Sequence, residues 1–277
     1  VNGPRAATEK KLQLPPNETA LFDIPVTDDL PDNKRSTFRA KVVLDSGAVF
    51  AAAGEFGFTQ AVKVSDPPSL DGSWRGWEAA RPIEFGKRGQ IKTSSDVGES
   101  YEGKQDLFGE LRLLWDEKHL YLGVMSFDNR FLPNPERGRS GFMGDSIEFG
   151  IQPNHILTKS APKYEYEVYL PADGEYAASR RFPLPGEPVT HWDAHVTPTG
   201  TRGNAVYQVA IPWSDLELTA PKAGKKIAMS VVLNDKDNPD TKFSGKRTLI
   251  HWFSGVHTGK NPEKYGDVVL VEADNAQ

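Results

Sequence analysis

Three acids near the middle of the chain pose the first chemical question. Asp128 closes an apolar run, Asp145 opens the next one, and Glu148 follows within the same run. Carboxylates at strand ends suit a hard cation such as Ca²⁺, which gathers several carboxylate and carbonyl oxygens. The same acids also serve as loop caps or solvated surface charges, and spacing alone leaves both readings open. A second acidic stretch, Asn234-Asp235-Lys236-Asp237-Asn238, looks like part of a calcium loop. It lacks the sixth-position glycine and the closing glutamate of an EF-hand, so a plain turn is the simpler reading. His191-Trp192-Asp193-Ala194-His195 aligns two imidazoles and a carboxylate on one face of a strand. Such a set can ligate Zn²⁺ or Fe²⁺. Neighbours on one strand rarely converge on a single ion, however, and a polar strand face with Trp192 buried behind it is the favoured alternative.

The aromatic supply is large, with 6 Trp, 8 Tyr and 14 Phe. Ring faces stack on the C–H face of a sugar while carboxylates and amides bond its hydroxyls. Trp74, Trp77, Trp192, Trp213 and Trp252 fall near expected strand ends or turns, whereas Trp115 reads as core. No Gly-x-Ser-x-Gly, phosphate loop or dinucleotide fingerprint is present. The lack of cysteine excludes disulfides, thiolate metal sites and a Cys nucleophile. A net charge of −5 argues against a nucleic-acid binder. No apolar run approaches the roughly 18–20 residues of a membrane span.

These side chains must be held by strands. Gly and Pro, 25 and 21 of them, punctuate the chain throughout and predict many short strands. Expected strands cover residues 106–115, 119–127, 146–151, 164–170, 192–197, 205–211, 227–233, 249–253 and 267–271. The hairpin over 111–127 is apolar on both faces, as central strands covered on both sides require. Pro212-Trp213-Ser214-Asp215-Leu216 is expected to form a single helical turn. Ahead of Ser65-Asp66-Pro67-Pro68, residues 19–24, 36–44 and 48–58 predict further short strands. The reading is therefore all-β. Residues 1–66 form a small β module or the tail of a preceding domain, and residues 67–277 form a jelly-roll-like β-sandwich.

An ordered set of motifs over residues 70–271 resembles the family 9 carbohydrate-binding modules. It runs through Asp71-Gly72 with Trp74 and Trp77, Leu114-Trp115-Asp116, Leu120-Tyr121, Asp128 and Asp145-Ser146-Ile147-Glu148. It continues through Tyr207-Gln208-Val209-Ala210-Ile211-Pro212-Trp213, Asn234-Asp235, Ile250-His251-Trp252 and Tyr265-Gly266. The resemblance implies a sandwich with bound calcium, Asp128 and Asp145 among its ligands. It also implies recognition of glycan ends by a module of a secreted, extracellular or cell-surface glycan-degrading protein, with a catalytic domain in the same longer chain. On the family pattern Glu148 matches the sugar-binding glutamate and Phe142 stands where a stacking Trp is expected. Glu167 falls where an Arg would bond the sugar, Val232 where a Gln would, and near Gly259 a second stacking Trp is missing. These departures leave three expectations: a platform on Phe142, a displaced one using Trp192 or Trp252, or a structural, docking sandwich with a decayed sugar site. Sandwiches that look similar also hold haem, for which Met125, Met143 and Met229 are the available Met ligands.

Overall fold

The computed structural model describes residues 36–56, 59–93, 101–135, 141–174, 176–182, 187–199, 203–219, 221–237 and 248–273. The strand expected over residues 19–24 lies outside them. Strands β1 (Ser36–Val43) and β2 (Val49–Phe56) pair only with each other, as an antiparallel hairpin. A second sheet contains β3 (Thr59–Lys63), β4 (Ile83–Phe85), β5 (Ile91–Thr93), β6 (Leu107–Trp115), β7 (His119–Asp128), β8 (Ser146–Gln152) and β9 (Tyr164–Tyr169). It also contains β10 (Ala177–Phe182), β11 (Glu187–Pro188), β12 (Asp193–Thr199), β13 (Asn204–Pro212), β14 (Lys226–Asp235), β15 (Thr248–Trp252) and β16 (Gly266–Val271).

The strand order is β11-β10-β9-β8-β14-β16-β3-β6-β7-β13-β12, with β4 beside β6, and β15 joining β14 to β5. Pairing is antiparallel except where β3 lies parallel to both β16 and β6. The two halves on either side of β3 share one core, so they stack as the layers of a β-sandwich. Leu111, Leu122 and Tyr207 come from one layer, and Phe149, Tyr166, Met229 and Val231 from the other. Strand parity sends the alternate residues outward, and both outer faces are covered in turn. On one, Leu114, Tyr121 and Ala210 pack under Trp77 and Ala80. That cover is pinned by Arg112, whose Nη1 donates to the carbonyls of Trp77 (3.2 Å) and Ala80 (3.3 Å). On the other, Ala228 and Val232 pack under Val256 and Tyr265. Cover on both sides explains why the 111–127 hairpin is apolar on both faces.

The long strands match expectation, and Trp213–Leu216 forms the expected turn as a 3-10 helix. Strand β3 is different. It precedes the boundary expected at residue 66, yet Ala61 and Val62 are buried in the large sheet, so the sandwich begins at Thr59. Met229 fills the core, whereas Met125 is half-buried on the outer side of β7. Among the described residues no helix is long and apolar enough to cross a membrane.

Candidate functional site

Sheet register assembles the acidic cluster. Asp128 ends β7, and the pairing of Leu107 with Asp128 sets Asp106 beside that end. Asp145 precedes β8, and the pairing of Asn234 with Ser146 sets Asp235 next to it. Carboxylate oxygens of Asp128, Asp145 and Asp235 all lie within 4.8 Å of one another, and all three residues are buried. Asp106, Asp235 and Asp237 form a second such group, so Asp235 belongs to both. Backbone amides hold the outer carboxylates. Arg130 N donates to Asp128 Oδ1 (2.8 Å), Leu132 N to Asp145 Oδ2 (2.7 Å) and Lys236 N to Asp145 Oδ1 (2.9 Å). Asp106 accepts from Glu102 N (2.9 Å) and from Asn129 Nδ2 (2.8 Å).

Both carboxylate oxygens of Asp235, and Oδ1 of Asp237, are buried without a hydrogen-bond partner. Burial, with Asp237 and Asp106 nearby, pushes the Asp128 carboxyl up to about 7. Burial, then the charge of Asp128, pushes Asp145 and Asp235 well above the usual carboxylate range. Carboxylates gathered within 4.8 Å of one another, with orphaned oxygens on Asp235 and Asp237, must be either protonated or neutralised by a cation. An all-oxygen set held from behind by amides fits a hard ion of the calcium type.

Of the residues expected to touch sugar, Glu148 and Glu167 lie on the outer face of the layer that holds β8, β9 and β14. Register aligns Glu167, Glu148, Val232 and His251 in one row across β9, β8, β14 and β15. Asn234 Nδ2 orients Glu148 by donating to Oε1 (2.9 Å), and it also donates to Ser146 Oγ (3.2 Å). Phe142 sits on the 3-10 turn Gly141–Met143 just ahead of β8 and is half-buried, like Glu148. Glu167 is fully buried against that turn: a Cβ added at Gly141 would lie 2.8 Å from its carboxyl group. Val232 is buried under the covering loop. Trp192 and Trp252, at 2% and 0% exposure, belong to the core between the layers, so neither offers a ring face to a ligand. Trp192 packs on Tyr166 with ring centres 4.5 Å apart, and its Nε1 donates to Asp215 Oδ2 (2.7 Å).

The loop over residues 253–265 closes this face. Ser230 Oγ on β14 donates to Phe253 O (2.7 Å) and accepts from Val256 N (3.2 Å), and Asn261 N donates to Gly255 O (2.8 Å). Tyr265 lies over Gly150, where any Cβ would overlap its hydroxyl. That hydroxyl donates to Glu165 Oε1 (3.1 Å), and Lys260 forms an ion pair with the other oxygen. Burial raises the Glu165 carboxyl despite this pairing. His257 of the loop packs on His251, with ring centres 4.5 Å apart. Burial, then the neighbouring His257 and Lys92, lowers His251 to about 4. Burial, with Lys92 and Lys264 nearby, lowers His257 as well.

His191, Asp193 and His195 do not converge. His191 Nε2 pairs with Asp215 Oδ2 (2.7 Å), Asp193 is exposed, and His195 bonds Thr197 Oγ1. The sequence reading names Asp128 and Asp145 as metal ligands and takes the 234–238 loop as a plain turn; it does not name Asp106 or His257, which the structure sets beside the acids and His251, respectively. The acidic loop was visible as residue types. Counting register back from the Asp116-Glu117-Lys118 turn sets Asp106 beside Asp128, whereas its convergence with the acidic loop at the end of β14 comes from the stacking of the two layers, which no local pattern displays.

The family model described as carbohydrate family 9 binding domain-like matches residues 84–273. The fold is similar to a carbohydrate binding module family 9 from Caldicellulosiruptor kristjanssonii in complex with cellotriose. The TM-score is 0.56 at 14% identity, over 77% of this chain and 93% of that one. The module from the same organism in complex with glucose gives a TM-score of 0.54 at 14% identity, over 77% and 96% of the two chains. No curated protein matches the chain. At this identity the solved structures speak to the fold alone, but the family match spans most of the sandwich, and the chain belongs to the carbohydrate family 9 binding domain-like proteins.

Proposed function

We propose that the chain is a non-catalytic carbohydrate-binding module of a secreted glycan-processing protein, stabilised by calcium. The observation that carries this reading is Glu148. Its carboxylate is oriented by Asn234 at a half-buried spot on a face that is otherwise covered, and Phe142, also half-buried, sits on the turn just ahead of the same strand. A carboxylate next to an aromatic ring can accept sugar hydroxyls while the ring stacks on the C–H face. The binding of cellotriose and glucose by the similar modules makes glucan ends the first ligands to test. Asp128, Asp145 and Asp235, with Asp106 and Asp237, would hold calcium and fix the ends of β7, β8 and β14. The reading also implies an extracellular or cell-surface setting and a catalytic domain in the same longer chain.

Calorimetry against soluble glucan and xylan oligosaccharides tests it. Phe142→Ala and Glu148→Gln should each weaken binding by about tenfold or more, an effect of roughly 1.4 kcal/mol, with the unfolding midpoint unchanged. Undiminished binding by both variants would overturn the assignment of the site.

The burial of Glu167 and Val232 favours a second reading, a structural or docking sandwich whose sugar site has decayed. It predicts no binding by the wild-type chain to neutral or acidic glycans. A haem-binding sandwich gains nothing from Met229, which is fully buried in the core.

A further inference from the structure

We propose that His251 and His257 form a second metal site, separate from the carboxylate cluster, for a transition-metal ion such as Zn²⁺ or Cu²⁺. His251 projects outward from β15 yet is only 6% exposed beneath the 253–265 loop. Its Nδ1 and both ring nitrogens of His257 are closed off from solvent and have no hydrogen-bond partner. Buried polar groups in a folded protein are normally satisfied, and an unexplained cluster of them points to a missing ion or water. Here three such nitrogens belong to two rings in contact.

The geometry suits a shared ion. Ring centres lie 4.5 Å apart with the planes inclined at 44°. An ion about 2.0–2.1 Å from one nitrogen of each ring, in adjacent coordination positions, sets the centres roughly 4.5–5 Å apart. The loop that delivers His257 is anchored through Ser230, Val256 and Asn261, so the ring is presented by an ordered segment. Lys92 and Lys264 oppose a cation here, while Glu148 is the acid acting on His257 and offsets them. Donor chemistry then separates the two sites. Carboxylates take the hard ion and imidazoles take the borderline one. Two protein nitrogens leave the remaining positions of the ion to water.

The experiment uses the full chain, stripped with a chelator, reloaded with excess Ca²⁺ and titrated with Zn²⁺ by calorimetry. The expected result is one equivalent of Zn²⁺ bound in the presence of Ca²⁺. His257→Gln should weaken it by about tenfold or more, with an unchanged Zn²⁺-free unfolding midpoint. The Cu²⁺-loaded protein should show two-nitrogen ligation by electron paramagnetic resonance. Failure of the Ca²⁺-loaded wild type to bind Zn²⁺ overturns the proposal. So does equal affinity and stoichiometry in His257→Gln. If that variant does not fold, the wild-type Cu²⁺ spectrum decides, and oxygen-only ligation overturns the site. None of these outcomes depends on sugar binding.

Discussion

Asp235 is the one carboxylate among the described residues with both oxygens buried and unpartnered, and it belongs to both acidic groups. Without metal the raised carboxyls make the folded state hold protons that the unfolded chain releases. Their stabilising contribution is therefore fully present below the unfolded carboxyl pKa and is lost as pH rises through about 7, the Asp128 value, and beyond it for Asp145 and Asp235. In chelator, the unfolding midpoint should fall between about pH 5 and about pH 8. With Ca²⁺ it should not fall, because the ion binds the deprotonated form. Equal midpoints with and without Ca²⁺ at about pH 8 would refute a metal role for the cluster. Asp235→Asn should raise the midpoint in chelator at that pH and abolish most of the gain on adding Ca²⁺. Calorimetric unfolding under both conditions reads both effects.

At the scale of elements, β14 does the most positioning. It supplies Asp235 at its end, Asn234 for Glu148, Val232 beneath the covering loop and Ser230 as the anchor of that loop. Ser230→Ala removes one donor and one acceptor from the loop and should cost about 1–2 kcal/mol. Amide exchange should quicken over residues 253–265 while β8 and β14 stay protected; uniform protection would count against the anchor. Much of this level was legible in the sequence. Long strands such as β6, β7, β13 and β14 announced themselves because runs apolar on both faces have few alternatives. The short strands β4, β5, β10 and β11 did not: Ile83–Phe85 and Glu187–Pro188 are too brief to carry a period, and tertiary pairing makes them strands. Trp252 illustrates the same limit. Parity along β15 sends Ile250 and Trp252 inward and His251 outward, and a shift of one residue would have reversed them. Residue types suggested a ring for stacking, whereas register decided that the outward ring is an imidazole.

At the scale of the whole molecule, the leading hairpin and the sandwich form separate sheets. Strands β1 and β2 pair with nothing else, and Val43 and Phe50 near their tip are 60% and 61% exposed. A two-stranded hairpin on its own is marginal in water. Deleting residues 1–58 should therefore leave the unfolding midpoint of the sandwich nearly unchanged. Deleting residues 1–66 removes β3 with its buried Ala61 and Val62 and should destabilise by about 3 kcal/mol or more. Denaturant melts of the two truncations distinguish these outcomes, and equal stability would refute the assignment of β3 to the sandwich. That strand has one more consequence. Because β3 runs parallel to β16 as its direct neighbour, a pull applied to the start of β3 and the end of β16 loads all their shared hydrogen bonds together in shear. Such a seam resists tension far better than one opened bond by bond, so the first and last strands of the sandwich make a mechanical clasp.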